Sequence, residues 1–442
     1  MMLSLALGAV VLNAALAVTS RAFVAQGWLP SEAAGTGVGA TRDFITLTQG
    51  TDSWMPMLRA IHIHEAGQPI YDTLFFAEKV KFQYPLTALL PVVGLRKVGV
   101  TDESFPGVAR MASWLAVWAT IGVSIAIYFT VRRRAQAAWG LPVGASPWGH
   151  PVGEAWMAAL ALGIAGLSFY PLVKGFALGQ IQTFLTLFFA IACYCWLRGK
   201  ERAAGALIGL MILVKPHYAF IGLWFALRKR FGALWAAVGV VGGGLAVAVA
   251  VFGWSAQIKY LDVIREASRG ESYFSNLSFN GVANRLLGNG PNLSFDANAF
   301  APYHPLVFAT TVLSAVVLVG AALVFPRKPG QRGRAADFCA VTVAATAASP
   351  IAWEHHYGIL FPVFAMVIAA HVERREITRI LVAYTLVANA WTPFNVFSSI
   401  PAVNVLQSAC LAGVVLTLVV LWRQRRQDEG PSFRDARGRH AV

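Results

Sequence analysis

Charged side chains are scarce in this sequence. Asp, Glu, Lys and Arg make up only 13% of its 442 residues, whereas soluble domains carry about 25%. Hydrophobic residues make up 57%, and most lie in blocks of about 15–25 residues, the length at which a helix crosses ~30 Å of hydrocarbon. The composition therefore excludes an ordinary soluble domain and predicts a multi-pass membrane protein.

Repeated ten-residue segments of alternating polarity, which are typical of a membrane β-barrel, are also lacking. Helices satisfy every backbone polar group within lipid, so we predict an all-α polytopic membrane protein of about 11–13 transmembrane helices. Residues 85–100 are apolar but short, which favours a re-entrant or interfacial segment. The N-terminal block predicts a membrane helix rather than a cleaved signal. The predicted spans are 3–25, 108–131, 153–172, 179–197, 203–214 paired with 217–228 as a hairpin, 232–252, 305–325, 336–350, 356–372, 376–393 and 400–422.

Acidic residues are few, and the formal net charge is +15. No basic face is continuous, which argues against nucleic-acid binding. Short basic clusters instead separate the apolar blocks, as in cytoplasmic loops that follow the positive-inside rule. We therefore predict one membrane domain (1–425) with its N-terminus inside, long extracytoplasmic loops at 26–84 and 253–304, and a disordered cytoplasmic tail (426–442). The basic clusters lie at 132–134, 198–202, 228–230, 327–334, 374–375 and 423–426.

Metal-binding and nucleotide-binding motifs are sparse. All four cysteines lie inside apolar blocks, which favours small buried side chains over disulfides or metal ligands. His62 and His64 are two residues apart and do not share a helix face, so an amphipathic interfacial helix is favoured over a metal site. The outside loops contain no Gly-rich phosphate loop and no Asp-x-Asp motif. We expect no metal and no other cofactor.

The first candidate for chemistry is Asp52, which precedes Trp54, Met55 and Met57. A carboxylate at a membrane surface among apolar side chains has a raised pKa and can act as a general base. The alternative is a solvated loop aspartate or a helix cap. Gln180 begins a later span, where polar groups at a helix start either bind an anion or hydroxyls or simply cap the helix.

Lys215 is a cation in the interrupted middle of the hairpin, next to Pro216. An unpaired charge there is costly and suggests function, with snorkelling to the interface as the alternative.

The 253–304 loop contains Asn276, Asn280 and Asn284 at four-residue spacing, followed by Arg285. On one helix these amides would form a face suited to sugar hydroxyls or a phosphate. The alternative is turn chemistry, in which asparagine is common.

A mixture of acid, imidazole and aromatic side chains interrupts two late spans at Trp353-Glu354-His355-His356-Tyr357. An aromatic belt explains Trp353 and Tyr357 but not the other three. Imidazoles bind phosphate or metal.

In order, these segments resemble the family 87 glycosyltransferases, polyprenol-phosphate-mannose-dependent mannosyltransferases of actinobacteria with a GT-C-type fold. The matching pieces are Thr51-Asp52 to Gly67…Tyr71-Asp72, Phe82-Gln-Tyr84-Pro85, Gly179-Gln180, Ala204-Gly205…Lys215-Pro216, Asn276-Leu-Ser278…Asn284-Arg285-Leu and Ser349-Pro350…Trp353-Glu354-His355-His356. Two departures concern the sugar and the acceptor: Leu86 stands where the family often has a second proline, and Gln182 where it has asparagine.

The resemblance implies a membrane glycosyltransferase of the bacterial plasma (inner) membrane, with Asp52 as catalytic base and the histidine pair at the donor phosphate. We hypothesise transfer of mannose, with inversion, from a polyprenyl-phosphate donor to an envelope glycolipid or glycan on the extracytoplasmic face. Lys215 and Arg285 would assist at the phosphate. Further donor contacts are expected from Gln180, Asn276, Asn280, Glu354 and Tyr84, with Phe75, Phe76, Phe82 and Tyr84 along the isoprene units.

A transporter or flippase of lipid-linked sugars is the alternative function, because helices broken at Lys215-Pro216 and Ser349-Pro350 are also transporter features. Against it, the polar groups cluster outside the membrane and no inverted repeat is visible.

Overall fold

The computed structural model describes residues 2–138, 152–324, 331–370 and 374–425. Within these ranges the chain is helical and contains no strand beyond one isolated antiparallel bridge, between Asn276 and Trp353. The predicted all-α polytopic fold is confirmed. The predicted tail (426–442) and Arg327-Lys328 lie outside the described residues.

Eighteen α-helices are described, and short 3-10 or π turns connect several of them. The first nine are α1 (Met2–Ala25), α2 (Gly37–Ile45), α3 (Trp54–Glu65), α4 (Leu90–Lys97), α5 (Phe105–Ala138), α6 (Val152–Leu167), α7 (Tyr170–Ala177), α8 (Gln182–Leu197) and α9 (Glu201–Ile212). The others are α10 (Ala219–Leu227), α11 (Phe231–Phe252), α12 (Trp254–Ala267), α13 (Phe279–Leu286), α14 (Pro305–Val324), α15 (Gln331–Ala347), α16 (Leu360–Ala370), α17 (Arg374–Ala388) and α18 (Ala409–Gln424).

Fewer helices than predicted are long and apolar enough to cross a membrane. Five of those described meet this criterion, and a sixth is formed if α6 and α7, which bend by 52°, make one broken span. The five are Ala6–Ala25, Phe105–Arg134, Phe231–Phe252, Pro305–Val324 and Asn404–Gln424. Several predicted spans are instead shorter helices, so the count of about 11–13 is not reproduced by length and composition.

Proline accounts for one of the breaks. Pro216 has no backbone N–H to continue a helix, and α9 and α10 are separated by a 3-10 turn, Pro216–Tyr218. The predicted hairpin is therefore present as two short helices. Residues 85–100 form the 3-10 turn Leu86–Leu89 followed by α4, which is too short to cross a bilayer, in agreement with a re-entrant or interfacial segment.

Two hydrophobic cores hold the helices together. The larger joins α5, α7, α8, α15, α16 and α18, with Phe169, Phe189 and Phe338 fully buried. The smaller lies under α3 and the π turn Tyr71–Ala77, and it includes Phe252 of α11 and Val263 of α12. The second core attaches the first long loop to the bundle.

Three consecutive helices carry basic residues at one end. Arg198 follows the last residue of α8, Lys200 precedes the first residue of α9, and Arg228 follows the last residue of α10. Gln182 and Lys215 lie at the opposite ends of α8 and α9. The basic clusters and the Lys215 region are therefore separated by the length of these helices.

At the basic end, a buried carboxylate connects three elements. Asp337 of α15 has no exposed surface; it lies 2.7 Å from Arg228 Nε and 3.0 Å from Arg425 Nη1, and it accepts a hydrogen bond from Trp224 Nε1 at 3.1 Å. Arg425 is itself fully buried. Each charge therefore depends on the other for its stability inside the protein.

We expect Asp337→Asn to lower the free energy of unfolding by about 3–5 kcal/mol, because it removes the carboxylate charge that faces the buried Arg425 guanidinium. The control is Glu201→Gln, whose partner is Arg230 at 3.0 Å in a half-exposed pair; its loss is expected to cost about 0–1 kcal/mol. Thermal or denaturant unfolding in detergent measures both. Equal small effects would contradict a structural role for Asp337.

Candidate active site

A cavity of about 630 Å³ lies between the first long loop, the bundle and the 253–304 loop. Its walls come from the start of α3, residues 80–84, α7, the α9–α10 connection, α12 and residues 349–356. Seven of its lining residues were predicted from the sequence: Asp52, Tyr84, Gln180, Lys215, Glu354, His355 and His356. The lining also includes Lys81, Lys174 and His217.

A short run of backbone hydrogen bonds holds Asp52 in the wall. The N–H groups of Gly50, Asp52 and Ser53 donate to the carbonyls of Ala177, Leu178 and Gly179 at 2.8, 3.0 and 3.2 Å. Gly179 has φ +72°, and a β-carbon there would lie 2.0 Å from Gly50 O. Glycine is therefore required for the two segments to approach this closely.

The Asp52 carboxylate faces an oriented amide. Ser53 Oγ donates to Gln180 Oε1 at 3.0 Å and accepts from Tyr84 OH at 2.9 Å. This leaves the Gln180 NH₂ group to donate to Asp52 Oδ2 at 3.3 Å. Burial raises the pKa of Asp52, opposed by the Gln180 hydrogen bond and the Lys174 charge. A raised pKa makes this carboxylate a stronger base than a solvated aspartate. Asp52 is not the helix cap of α3, because the N-cap residue is Ser53.

A second wall of the cavity carries nitrogen donors. Lys215 Nζ donates to Gln182 Oε1 at 2.9 Å and to His356 Nε2 at 2.6 Å. His355 Nε2 and His356 Nδ1 are buried and have no hydrogen-bond partner among the described residues. Burial lowers the pKa of Lys215 to about 7, so an anion bound here would favour its protonated form. We name Lys215, His355 and His356 the basic pole.

Glu354 lies beside this pole, and its Oε2 accepts a hydrogen bond from Tyr170 OH at 2.9 Å. Trp353 packs edge-on against His355, with ring centroids 5.6 Å apart. The aromatic-belt interpretation therefore does not account for this segment, because its acid and imidazoles line a cavity.

Asn276 and Asn280 are not brought to the cavity. Asn276 precedes α13, so the predicted face of three amides on one helix does not form. Its side chain donates to the carbonyls of Glu271 and Pro350 at 3.0 and 3.1 Å and accepts from Ala352 N at 3.0 Å. Asn280 donates to Arg269 O and Thr311 Oγ1 at 3.3 and 2.9 Å.

Arg285 also lies away from the cavity lining, and its guanidinium binds protein backbone. It donates to Tyr273 O at 3.1 Å and Asn276 O at 3.0 Å, and also to the Ser408 hydroxyl. Arg285 thus fixes residues 273–276, and the contacts of Asn276 with Pro350 and Ala352 hold this segment against the wall residue Trp353. We predicted that Asn276, Asn280 and Arg285 contact the donor directly. In the structure these side chains bind other parts of the protein and support the cavity wall.

The aromatic residues predicted to contact the lipid chain are divided between the protein interior and the cavity. Phe75 and Phe82 are 5% and 0% exposed in the smaller core, whereas Tyr84 lines the cavity. The hydrogen bond of Tyr84 to Ser53 makes it part of the support for Asp52.

The weaker sequence candidates have local partners. His62 Nε2 lies 2.8 Å from Asp102 Oδ2, while His64 packs against the Phe252 ring. Among the described residues no group of three or more His, Cys, Asp or Glu side chains is placed to hold a metal ion. Asp72 pairs with Lys259 at 3.0 Å and does not line the cavity.

Sequence analysis missed two cavity lysines, Lys174 and Lys81. Lys174 is a lone cation in the apolar stretch of α7, a signal of the kind that identified Lys215. Lys81 lies 2.6 Å from Glu271 Oε1, at the other side of the cavity.

We expect Gly179→Ala to destabilise the protein more than Gly27→Ala. Both glycines have a positive φ, but a β-carbon at Gly27 meets nothing within 4 Å. Gly27→Ala therefore measures the conformational cost alone, about 1 kcal/mol, and the excess for Gly179→Ala measures the clash with Gly50. Thermal unfolding in detergent is the measurement, and equal shifts would contradict the close approach.

The sequence model of glycosyltransferase family 87 matches residues 82–351, more than half of the 442 residues, which confirms the predicted resemblance. The matched region includes Tyr84, Gln180 and Lys215 and ends before Glu354.

Three curated relatives are similar to this chain. In Mycolicibacterium smegmatis, a polyprenol-phosphate-mannose-dependent alpha-(1-2)-phosphatidylinositol pentamannoside mannosyltransferase is 27% identical over 50% of this chain and 52% of its own length. A phosphatidylinositol mannoside mannosyltransferase of the same organism is 27% identical over 55% of this chain and 54% of its own. In Mycobacterium tuberculosis, a pentamannoside mannosyltransferase is 27% identical over 61% and 58%. The chain thus spans little more than half the length of these relatives.

Proposed function

This chain belongs to glycosyltransferase family 87, and we propose that it transfers mannose from a polyprenyl-phosphate donor to a hydroxyl group of an envelope glycolipid or glycan. One observation carries the proposal: a single cavity places the Asp52 carboxylate in one wall and the basic pole in another. Sugar transfer from a phosphate needs both, a base for the acceptor and cationic or N–H donors for the leaving group. The donor and acceptor classes come from the names of the three relatives.

In the proposed reaction, the acceptor hydroxyl lies against Asp52. Its oxygen attacks the anomeric carbon of mannose while Asp52 takes the hydroxyl proton. The new C–O bond forms as the bond from the anomeric carbon to the phosphate oxygen breaks, and the electron pair leaves with the polyprenyl phosphate. One base and a leaving group on the opposite face invert the anomeric configuration. Gln180 holds the carboxylate during this step through its hydrogen bond.

The basic pole would receive the departing phosphate. Lys215 supplies a cation, and the unpartnered nitrogens of His355 and His356 supply buried hydrogen-bond donors or acceptors. Donors already in place stabilise developing charge without reorganisation. We therefore expect no requirement for a divalent metal. Glu354, fixed by Tyr170, is placed to accept from a sugar hydroxyl.

We also propose that the cavity opens on the extracytoplasmic side of the plasma membrane. The basic residues Arg198, Lys200 and Arg228 lie at the helix ends opposite Gln182 and Lys215. By the positive-inside rule the basic ends face the cytoplasm. Nucleotide sugars are absent outside, whereas a lipid carrier presents its sugar with the phosphate at headgroup depth.

The purified protein is expected to transfer radiolabelled mannose from a polyprenyl monophosphate to a phosphatidylinositol mannoside, with little effect of EDTA. Asp52→Asn should lower kcat by about 10²–10⁴, because the amide cannot accept the proton. Asp72→Asn is the matched control, since Asp72 lies outside the cavity wall, and it should retain wild-type transfer. Efficient use of a nucleotide sugar without lipid, or movement of the donor across liposomes without transfer, would refute the proposal in favour of another donor or a flippase.

Sidedness is testable by cysteine labelling in a cysteine-free background. Single cysteines at the exposed positions Lys79 and Asp296 should react with an impermeant thiol reagent in intact cells, and cysteines at the exposed positions Lys200 and Lys229 should not. The reverse pattern would place the cavity on the cytoplasmic side.

A further inference from the structure

Lys174 of α7 is a half-buried cation that lines the cavity and has no role in the reaction proposed above. The other two cavity lysines have partners, since Lys215 donates to Gln182 and His356, and Lys81 pairs with Glu271. Lys174 makes no side-chain hydrogen bond or ion pair with any residue in the described part of the chain. A charged ammonium group without a direct partner is costly in the wall of a membrane protein, which suggests a functional role.

Two acids and one imidazole lie within reach of the Lys174 charge, which also acts on His355. Its charge acts favourably on both Asp52 and Glu354. A β-carbon built at Gly35 would lie 3.8 Å from Lys174 Nζ and 3.8 Å from Tyr170 OH, the hydroxyl that donates to Glu354. The ammonium group is therefore close to the Tyr170–Glu354 pair, on the side of the cavity that also holds Asp52.

The two acids disfavour a phosphate in direct contact with Lys174. An anion beside Lys174 would meet the charges of Asp52 and Glu354, whereas the basic pole has unpartnered imidazole nitrogens and a lysine that donates only to neutral groups. Two carboxylates in one cavity instead raise each other's proton affinity unless a cation compensates them. Lys174 occupies the position of such a cation.

We infer that Lys174 is a positioning residue: its ammonium group compensates the charges of Asp52 and Glu354, so that Asp52 stays unprotonated and able to accept the acceptor's proton. The inference rests on the transfer reaction proposed above and identifies what keeps its base competent. It also explains why a lysine without a direct partner is held in α7 beside two acids.

The pH dependence of the rate follows from the charges around Asp52. Besides Lys174 on α7, the groups acting on Asp52 are the Gln180 amide and the Tyr84 phenol. Burial raises the pKa of Asp52 and Lys174 lowers it. Removing the cation raises this pKa, so Asp52 binds a proton at higher pH and the acid limb of the rate profile moves upward. Above the new limb the base is again ionised and the rate returns.

The experiment measures kcat and KM for mannose transfer from polyprenyl-phosphate mannose, over about pH 5.5 to 9.5, for wild type, Lys174→Met, Lys174→Arg and Lys81→Met. In Lys174→Met we expect the acid limb of kcat/KM to rise by about one pH unit, so that the rate falls ~10-fold below the limb and recovers to within ~3-fold above it. Lys174→Arg keeps the charge and should keep the wild-type limb. Lys81→Met removes a cavity lysine that pairs with Glu271, and its limb should not move.

Each other result contradicts the inference. An unmoved limb in Lys174→Met, an equal loss at every pH, or the same shift in Lys81→Met would exclude compensation at Asp52. A raised KM for the donor with an unmoved limb would assign Lys174 to the phosphate instead. Lys174→Gln repeats the test if the Met variant unfolds. Absence of transfer by the wild-type protein would refute the proposed function itself, whereas transfer with an unmoved limb refutes only the role of Lys174.

Discussion

The close approach of residues 50–53 to residues 177–179 is the contact on which the cavity depends. It joins a loop that follows α2 to the break between α7 and α8, and it consists of three backbone hydrogen bonds. Because Gly179 has no β-carbon, Gly50 can lie against it. Asp52 and Gln180 emerge from the two joined segments, so the same contact that fixes the backbone also pairs the carboxylate with its amide.

The rest of the cavity is built by polar groups that do not enter it. Arg285 and Asn276 satisfy backbone carbonyls between the 253–304 loop and residues 350–353, where an unpaired polar group would cost about 1–3 kcal/mol. Their contacts hold Trp353 and Glu354 in the wall. Buried polar groups in this bundle therefore either support the backbone or line the cavity, and only their contacts distinguish these two roles.

Charge is separated along the bundle as well as within the cavity. At the basic end, Asp337 compensates Arg228 and Arg425, and at the cavity end Lys174 and the basic pole face Asp52 and Glu354. The bundle between these ends is mostly apolar, and the ring centroids of Phe189 and Phe338 lie 5.9 Å apart. Each set of charges is thus compensated locally, which limits the cost of burial.

Sequence alone determined the all-α membrane fold, because long apolar blocks can satisfy their backbone in lipid only as helices. It also identified Asp52, Gln180, Lys215 and the Glu354-His355-His356 segment, since acids, amides and bases are costly in apolar surroundings. Tertiary structure decided the direction of each side chain: Arg285 turned to carbonyls, Asn276 lay outside its expected helix, and Lys174 reached the cavity. Residue type determines the chemistry of a group, but its partners often lie far away in the sequence: Asp52 and Gln180 are 128 residues apart, and Lys215 and His356 are 141 apart. Spacing along one helix contains no information about such pairs.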